Sequence, residues 1–435
     1  MAKSKKETMF VCTECGDESP IWQGKCKSCG AWNTYKEIKI ENILEEKIDY
    51  VTSDIKKTKL KDIVFTKKER VKSSIDEFDK TIGGGLVPGQ VILIGGNPGI
   101  GKSTLVMQIC ANIDARTLYV SGEESEEQIA MRANRLGVEG EKMEIVSTNN
   151  LASALNDLGD TELLIIDSIQ TILMPNITGS AGSVSQIKEC AYRLVTVAKT
   201  KNIPVIIIGH ITKEGSLAGP KILEHMVDTV LYLEGGKESL FRFLRVFKNR
   251  FGDDTEVGIF EMKTEGMVGV KNSGFLLNAD FQFSASGNTV SIAMEGKRPI
   301  AVEVQALVTK SAFGFPKRTA SGYSLSRLQL LAAVLEKRLR LPLNEYDIYL
   351  NIASGFQTKD PSIDLPVCVS IISSVYDKPV KDKSAFFGEV GLSGEVRRVI
   401  ATEQRIKEAK NLGFNFIGSQ SNIENIQQLK GFLMI

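Results

Sequence analysis

The sequence has no apolar run that approaches the roughly 20 residues needed to span a membrane. Its first ten residues contain lysines but no apolar segment after them, so they do not have the pattern of a secretory signal. The formal net charge is only +1 at pH 7, and any nucleic-acid surface must therefore come from local clusters of basic residues. We expect a cytoplasmic protein that does not contact a membrane.

The sequence is also poor in cysteine for a protein held together by disulfides. Seven cysteines in 435 residues do not suggest a disulfide framework in a cytosolic protein. The length is sufficient for two or three domains. Three cysteines are scattered among apolar residues and are expected to be buried thiols: Cys110, Cys190 and Cys368.

The other four cysteines, near the start of the chain, have the spacing of a zinc site. Cys12 and Cys15 form one C-x2-C pair, and Cys26 and Cys29 form a second pair ten residues later. Two such pairs supply the four thiolates that tetrahedral Zn²⁺ requires and leave no open coordination position, which indicates a structural role. A redox dithiol and an iron–sulfur cluster are the alternatives.

A glycine-rich segment follows a short apolar run, Val91–Ile94, and precedes a helical pattern. It reads GNPGIGKS and fits the pattern G-x-x-x-x-G-K-[ST] at every position. In such a loop the backbone N–H groups converge on phosphate oxygens, and the helix N-terminus adds partial positive charge. We expect Lys102 to reach the β and γ phosphates of ATP, Ser103 to bind Mg²⁺ and Thr104 to contact the α phosphate. The predicted nucleotide-binding residues are Gly96, Asn97, Pro98, Gly99, Ile100, Gly101, Lys102, Ser103 and Thr104.

Two further apolar runs are each followed by acidic residues. Leu163–Ile166 is followed by Asp167, and Thr117–Val120 is followed closely by Glu123 and Glu124. Parallel sheets bind ligands at the carboxyl ends of their strands, so we expect Asp167 to hold Mg²⁺ through water. Glu123 is the first choice for the residue that orients the attacking water, with Glu124 in reserve. Alternatively, both glutamates only favour the start of a helix.

Polar residues also follow a fourth predicted strand, Pro204–Gly209. His210 stands at its end, either as a sensor of the γ phosphate or as a structural histidine with satisfied hydrogen bonds. The loop after it, which contains Gly215 and Gly219, and residues 176–185 are candidate mobile loops. Such loops would couple the nucleotide state to a bound strand.

A fifth strand-like run, residues 240–246, leads into the sequence KNRFG. Two cations at a hairpin tip are suited to reach the γ phosphate held by a neighbouring subunit, a contact that accelerates hydrolysis by several orders of magnitude in other ATPases. A solvated turn is the alternative. The candidate catalytic cations are Lys248 and Arg250, within a motif that comprises Lys248, Asn249, Arg250, Phe251 and Gly252.

The four-cysteine finger and the sequences GGNPGIGKST, SGEES, LLIIDSIQT and KNRFG together closely resemble the bacterial RadA (Sms) family of RecA-related DNA-repair ATPases. The resemblance covers essentially the whole chain. It implies a homo-hexameric ring that acts on single-stranded and branched DNA by branch migration and helicase-like translocation, with a RecA-type recombinase as partner. It also implies that the KNRFG motif takes part both in nucleotide turnover and in the action on DNA. Glu123 matches the family by its position after the second strand.

The C-terminal part of the chain resembles the proteolytic domain of Lon, in the stretches GKRPIAVEVQALV, LNEYDIYLNIASG, KDPSIDLPVCVSI and FFGEVGLSGEVRRV. Lon-type proteolysis needs a serine nucleophile and a lysine that takes its proton. Ser362 falls at the serine position, but the lysine position is expected to carry Glu403, with Lys407 four residues further on. We therefore predict no protease activity.

Basic residues are concentrated at the start of this region. Residues 296–340 contain nine Lys or Arg against Glu303 and Glu336, a local excess of +7. Phe313, Phe315 and Tyr323 lie among them, and this mixture suits a nucleic-acid surface. A solvated surface with a subunit interface is the alternative. The nine are Lys297, Arg298, Lys310, Lys317, Arg318, Arg327, Lys337, Arg338 and Arg340.

The predicted fold class is α/β. We expect a zinc knuckle over residues 1–35, a linker over 36–58, a RecA-like P-loop ATPase core over 59–270 and a Lon-like α+β domain over 285–435. Two other functions compete with a DNA-dependent ATPase. One is an ATP-dependent protease. The other is a signalling or clock ATPase that binds protein partners and hydrolyses ATP at a rate that DNA does not change.

Overall fold

The computed structural model divides the chain into two compact units. The first comprises Met1–Glu234, Val246–Asp254 and Thr264–Met267, and the second comprises Gly235–Arg245, Thr255–Lys263 and Val268–Ile435. The predicted zinc ligands Cys15 and Cys29, Phe313 and the predicted loop with Gly215 and Gly219 lie outside the described residues. The structure describes residues 8–12, 18–19, 21–27, 30–39, 59, 69–210, 222–236, 239–277, 285–312, 314–380, 383–419 and 423–432.

The first unit begins with a small antiparallel sheet. Strand β1 (Thr8–Cys12) pairs with β2 (Glu18–Ser19) and with β3 (Tyr35–Lys39), and Cys12 lies opposite Tyr35. Strand β3 continues four residues past the predicted end of the finger at residue 35. The predicted linker therefore starts inside a strand, and the rest of it, 40–58, lies outside the described residues.

Most of the first unit is built on six parallel strands in the order β9-β4-β8-β7-β5-β6. Strands β4, β5 and β7 are buried along their whole length and β8 up to its last residue, as expected for short apolar runs covered on both faces. Four of the six strands, β4, β5, β7 and β8, were predicted from the sequence and are confirmed, whereas β6 and β9 were not predicted. The six are β4 (Val91–Gly96), β5 (Thr117–Ser121), β6 (Met143–Ser147), β7 (Leu163–Asp167), β8 (Val205–His210) and β9 (Thr229–Glu234).

Helices connect these strands and pack on the sheet. The start of α3 is fixed by a capping box, because the Ser125 hydroxyl accepts a hydrogen bond from the backbone of Gln128 and the Oε1 atom of Gln128 accepts one from the backbone N–H of Ser125. The helices are α1 (Asp76–Thr81), α2 (Lys102–Asn112), α3 (Glu126–Arg135), α4 (Leu151–Asn156), α5 (Val184–Lys201) and α6 (Ile222–Met226).

The chain passes between the two units within β10 (Phe241–Asn249). Residues 235–245 and 255–263, predicted as part of the ATPase core, belong instead to the second unit. Aromatic packing explains this, because the Phe241 ring lies 4.6 Å from that of Phe275 and the Phe243 ring lies 5.9 Å from that of Phe356. The two following strands are β11 (Val257–Lys263), which pairs antiparallel with β10, and β12 (Gly266–Gly269).

The second unit contains a mixed six-stranded sheet in the order β15-β16-β14-β13-β17-β20. The long hairpin β13–β14 and the pair β14–β16 are antiparallel, and the outer pairs are parallel. The strands are β13 (Asn288–Glu295), β14 (Arg298–Lys310), β15 (Arg318–Ser321), β16 (Tyr346–Ile352), β17 (Ser384–Phe386), β18 (Glu389–Val390), β19 (Val396–Arg397) and β20 (Asn415–Ile417).

Helices cover both faces of this sheet. Helices α7 and α8 share one apolar core with β14 and β16, and α9 packs through Ala409 into a smaller core on the opposite face. The mixture of antiparallel hairpins and separate helices is α+β, as predicted for this part of the chain. The helices are α7 (Leu325–Leu339), α8 (Asp364–Tyr376) and α9 (Thr402–Asn411).

Candidate active site

The glycine-rich loop connects β4 to α2. Gly99 and Gly101 have φ angles of 75° and 111°, a region that other residues enter only with strain. A Cβ built on Gly96 would lie 2.7 Å from the carbonyl oxygen of Leu233, whereas no atom of the described residues lies within 4 Å of one built on Gly99. The loop is therefore closed on the side of β9 and open at Gly99.

The Lys102 side chain folds back into the loop. Its ammonium donates hydrogen bonds to the carbonyls of Gly96 at 2.9 Å and Asn97 at 3.0 Å. Only 4% of the residue is exposed, and this burial lowers the pKa of Lys102 to about 8, against the opposing effect of Asp167 and Glu123. Lys102 thus holds a partly desolvated charge beside the two predicted acidic residues.

Glu123 lies among polar groups from two neighbouring strands. The Ser168 hydroxyl, just after β7, donates a 2.8 Å hydrogen bond to Oε1 of Glu123. The Nε2 atom of His210, at the end of β8, is 3.5 Å from the same oxygen. The predicted base is therefore held at the sheet edge that carries the P-loop.

Glu124, the reserve candidate, has a different environment. Its carboxylate forms an ion pair with Arg132 on α3. Arg132 also approaches Asp167, with its NH1 atom 4.0 Å from Oδ2. The two glutamates therefore have different neighbours. Glu123 lies near Lys102, and Glu124 pairs with Arg132.

Asp167 is almost fully buried at the end of β7. The hydroxyl of buried Tyr119 donates to Oδ2 of Asp167 at 2.5 Å, and burial together with this carboxylate raises the pKa of Tyr119. Sequence reasoning identified Asp167 but missed Tyr119 and Arg132. Tyr119 lies inside a predicted strand and Arg132 inside a helix, so no local signal marks them.

These residues fit Mg²⁺ and ATP by the chemistry of their donors. Lys102 supplies a cation, Gly99 leaves space above the loop, and Ser103 and Asp167 provide the hydroxyl and carboxylate oxygens that Mg²⁺ prefers. In the described part of the chain, no three His, Cys, Asp or Glu residues form a metal cage. Mg²⁺ usually binds through one or two protein oxygens, water and substrate phosphates, so a hydroxyl and a carboxylate are sufficient protein ligands for it.

The KNRFG motif lies at the end of β10 and in the turn after it. The Lys248 ammonium donates hydrogen bonds to three carbonyl oxygens at the end of α6, those of Glu224 at 2.7 Å, His225 at 3.4 Å and Val227 at 2.7 Å. Burial, with help from Arg250, lowers the pKa of Lys248. Lys248 therefore caps a helix within its own chain.

Arg250 is the more exposed cation of the motif, with 56% of its side chain accessible. It contacts buried Asp228 at 3.3 Å, and the same carboxylate accepts from Lys199 and from the backbone of Val91 at the start of β4. Asn249 donates to the carbonyl of Ile82. The motif is thus tied through Asp228 to the strand that carries the P-loop.

The predicted mobile segment 176–185 is held mainly by hydrogen bonds from Gln186. Buried Gln186, in the first turn of α5, donates from Nε2 to the carbonyls of Met174, Ile177 and Gly179. Its Oε1 atom accepts from the backbone of Met174. The Ser185 hydroxyl also donates to the carbonyl of Thr178, so side chains at the start of α5 restrain this loop.

The Lon-like region contains a buried polar cluster at Ser362. The serine is 0% exposed, and its hydroxyl accepts a 2.8 Å hydrogen bond from Arg405, which also pairs with Asp360 at 2.8 Å. The residue beside the serine is neither Glu403 nor Lys407, which are both exposed. Arg405 was not anticipated, and a guanidinium cannot accept the serine proton.

The nine basic residues of 296–340 fall into two groups. Arg298 and Arg318 donate to backbone carbonyls, and Arg327 pairs with Asp364. Tyr323 donates to Asp364 as well, whereas Phe315 is 86% exposed. Part of the predicted nucleic-acid surface therefore makes contacts within the protein instead. The exposed basic residues are Lys297, Lys310, Lys317, Lys337, Arg338 and Arg340.

Two of the four predicted zinc ligands can be located. Cys12 and Cys26 are buried and share a small cluster with Tyr35. The hydroxyl of Tyr35 lies 3.7 Å from the Cys26 sulfur, and that of Thr34 lies 3.1 Å from the Cys12 sulfur. Hydroxyl groups directed at sulfur fit the outer shell of a thiolate metal site.

Comparison with known families agrees with this architecture. Residues 10–37 match a rubredoxin metal binding domain, 71–148 match the ATPase family described as KaiC, and 304–422 match subunit ChlI of Mg-chelatase. The fold class is as predicted, with a zinc ribbon, a RecA-like ATPase core and a Lon-like α+β domain. No helix in the described ranges is long and apolar enough to cross a bilayer.

Similar proteins match the chain over nearly its full length. DNA repair protein RadA of Bacillus subtilis is 44% identical over 100% of this chain and 97% of its own. The proteins of the same name from Streptococcus pyogenes serotype M6 and Listeria monocytogenes are 45% and 44% identical over 96% and 98% of this chain, and 94% of each relative is covered. A solved KaiC-like protein from Pyrococcus horikoshii covers 47% of the chain at 24% identity, with a TM-score of 0.40. The chain belongs to the DNA repair protein RadA family.

Proposed function

We propose that the protein is a DNA-dependent ATPase of recombinational DNA repair. It uses ATP hydrolysis to move along single-stranded DNA and to drive branch migration in recombination intermediates. One observation carries the proposal, namely that Lys102, Glu123 and Asp167 converge at the edge of a parallel sheet beside an open P-loop. The name of the relatives points to the same process.

Each residue of the site has a role in this proposal. The P-loop backbone and Lys102 hold the ATP phosphates, while Ser103 and Asp167 hold Mg²⁺, which neutralises charge on the phosphates. Tyr119 and Arg132 orient Asp167. Glu123 positions and polarises the attacking water, because it is the glutamate that neighbours Lys102.

The exposed Arg250 supports a ring in which ATP binds between subunits. In a homo-hexamer, Arg250 of one subunit reaches the phosphates held by the next and stabilises charge in the transition state. Lys248 acts with it from the same motif by holding the end of α6. The exposed basic residues of 296–340, with Phe315, contact single-stranded or branched DNA.

The remaining parts of the proposal concern partners and the flanking domains. A RecA-type recombinase supplies the recombination intermediates, and the protein acts on them in the cytoplasm. Cys12, Cys15, Cys26 and Cys29 bind one Zn²⁺. The Lon-like domain is not a protease, because Arg405 occupies the position beside Ser362 where a base is required.

A pair of matched variants tests the assignment of the water-positioning residue. Glu123→Gln is expected to bind Mg·ATP normally and to lower kcat by at least about 100-fold, the usual contribution of a general base. Glu124→Gln should stay within a few-fold of the intact protein in kcat. Steady-state ATPase rates, with binding of a fluorescent ATP analogue, measure both. Equal losses in the two variants, or loss of binding in Glu123→Gln, would reject the assignment.

A mixing experiment tests the shared site. Lys102→Ala subunits cannot hold ATP but carry an intact Arg250, and Arg250→Ala subunits have the reverse defect. Each variant alone should be inactive, and mixed rings should recover ATPase activity where an intact Arg250 faces an intact P-loop. Failure of the mixture, with rings confirmed by native mass spectrometry, would exclude Arg250 as a residue that acts between subunits.

A further inference from the structure

Asp228 is a buried acidic residue that contacts Arg250 of the KNRFG motif twice. It stands immediately before β9, and only 6% of its side chain is exposed. Its Oδ1 atom lies 3.3 Å from NH1 of Arg250. Its backbone carbonyl accepts a 3.1 Å hydrogen bond from the N–H of the same residue. The main chain and the side chain of Arg250 are therefore both held by Asp228.

The other carboxylate oxygen of Asp228 binds to the framework of the ATPase core. Oδ2 accepts a 3.0 Å hydrogen bond from the backbone N–H of Val91 and a 2.7 Å hydrogen bond from the Lys199 ammonium on α5. The N–H of Asp228 in turn donates to the carbonyl of Val91 at 3.0 Å. Val91 begins β4, the strand that leads into the P-loop. Asp228 thus contacts the P-loop strand with one oxygen and Arg250 with the other.

The charges in this cluster leave Arg250 able to bind a second anion. The Lys199 ammonium already pairs with the carboxylate of Asp228, so this carboxylate is shared between two cations. A guanidinium has five N–H donors, and the contact of Arg250 with Asp228 is made at NH1. Because 56% of the Arg250 side chain is exposed, its other donors can meet phosphate oxygens outside the subunit.

A catalytic arginine that acts between subunits benefits from being oriented in advance. The arginine side chain has about 2 kcal/mol of rotamer entropy, and fixing it before the reaction removes this cost from the catalytic step. The carboxylate of Asp228 can fix it, because that carboxylate is itself held by β4 and α5.

We propose that Asp228 is a positioning residue for Arg250. The inference rests on the proposed function, in which Arg250 reaches the phosphates held by the neighbouring subunit. Asp228 does not touch ATP. It orients the guanidinium towards the neighbour, and through Val91 it sets that orientation relative to the P-loop of its own subunit. A subunit without this carboxylate should bind ATP normally but contribute a poorly placed Arg250 to the next site.

Substitution of Asp228 provides the first test. Asp228→Asn removes the charge and nearly preserves the shape of the side chain. Rings of this variant should lose at least about tenfold in kcat, with the KM for ATP within about threefold, because only the contribution of Arg250 to the transition state is weakened. Asp228→Glu restores the charge one methylene further out and should recover part of the loss. A normal kcat in Asp228→Asn rings would overturn the proposal.

Mixed rings distinguish a positioning role from a structural one. In a mixture with Lys102→Ala subunits, which carry an intact Arg250, the P-loops of Asp228→Asn subunits can face a well-placed arginine. The ATPase rate should then rise well above that of Asp228→Asn alone. In a mixture with Arg250→Ala subunits it should not rise, because every available Arg250 lies in an Asp228→Asn subunit. A rise in both mixtures, or in neither, would reject the role of Asp228.

Two controls complete the experiment. The mixture of Lys102→Ala with Arg250→Ala tests the proposed function alone. If it recovers activity while Asp228→Asn fails its own test, only the role of Asp228 is lost. If it stays inactive, the action of Arg250 between subunits is lost and this inference with it. Should Asp228→Asn not form rings in native mass spectrometry, Asp228→Glu replaces it in the same two mixtures, where equal rises would reject the proposal.

Discussion

At the scale of single residues, Lys102 carries an electrostatic cost at the P-loop. Its folded-state pKa of about 8 lies below the ordinary lysine value of 10.5 because the ammonium is desolvated. The unfolded chain therefore binds more protons between these two values, and this residue's contribution to stability rises with pH through that window. Below pH 8 the buried charge opposes folding in full.

Lys102→Met should consequently change stability in a pH-dependent way. At pH 7 the variant gains about 3 kcal/mol relative to the intact protein from removal of the charge penalty, less the cost of the carbonyls that it leaves unpaired. This relative gain should disappear as the pH approaches 10.5. Urea unfolding of the nucleotide-free proteins at pH 7 and pH 10 measures it. A difference between the two proteins that does not vary with pH would contradict the burial argument.

Arg405 is the buried charge on which the second unit depends. Arg405→Met removes the cation paired with Asp360 and should destabilise this unit by about 3–5 kcal/mol, the usual cost of an uncompensated buried charge. The matched control is Lys407→Met, an exposed change on the same helix that should stay within about 0.5 kcal/mol. Chemical unfolding of the full chain distinguishes them. Equal stability of the two variants would show that the buried pair is dispensable.

Sequence reasoning located residues whose role is encoded in a local pattern. Lys102 and Asp167 follow buried apolar runs, and their positions at strand ends follow from the geometry of a parallel sheet. Tyr119, Arg132 and Arg405 could not be found this way. Each contacts a residue at least 35 positions away in sequence, so its role exists only in the folded chain.

At the scale of elements, the KNRFG motif stabilises the end of α6 within the same chain. Lys248 satisfies three carbonyls at the end of α6, a common use of lysine at helix C-termini. The sequence predicts two equivalent cations for the motif. The structure makes them different, because the partners of Lys248 come from a helix that the sequence pattern did not predict.

This difference predicts unequal effects on stability. Lys248→Met leaves carbonyls without a donor and should lower the free energy of unfolding of the nucleotide-free protein by about 1–3 kcal/mol. Arg250→Met removes one exposed ion pair and should cost less than about 1 kcal/mol. Denaturant titration of both variants at one salt concentration provides the comparison. If Arg250→Met were the more destabilising change, the cap would be excluded as the main role of Lys248.

Strands were easier to predict than boundaries between units. The buried parallel strands are short apolar runs, so their positions are visible in the sequence. The hairpin of β10 and β11 has a similar appearance, yet the first part of β10 and all of β11 belong to the second unit. The contacts that decide this, Phe241 with Phe275 and Phe243 with Phe356, are not local.

At the scale of the whole molecule, the metal site and the ATPase core should be separable. Both tryptophans, Trp22 and Trp32, lie in the finger, so tryptophan fluorescence reports on this part alone. Removal of zinc by a chelator should shift their emission, because so short a segment depends on metal for its folding free energy. ATP binding should persist.

Metal analysis completes that prediction. We expect one zinc per chain in the intact protein and none in Cys12→Ser, whose emission should match that of the chelated protein. Emission that stays constant while zinc is lost would show that the finger folds without metal. Loss of ATP binding on chelation would show that the finger supports the core.

The central claim is that the site at the sheet edge hydrolyses ATP in response to DNA. The most direct measurement is the steady-state ATPase rate of the intact protein at low ionic strength, with and without single-stranded DNA, using Lys102→Ala as the blank. We predict hydrolysis that rises on addition of DNA, that loses this response as salt screens the phosphate contacts, and that is absent in the blank. No hydrolysis, or a rate that DNA leaves unchanged, would contradict the account.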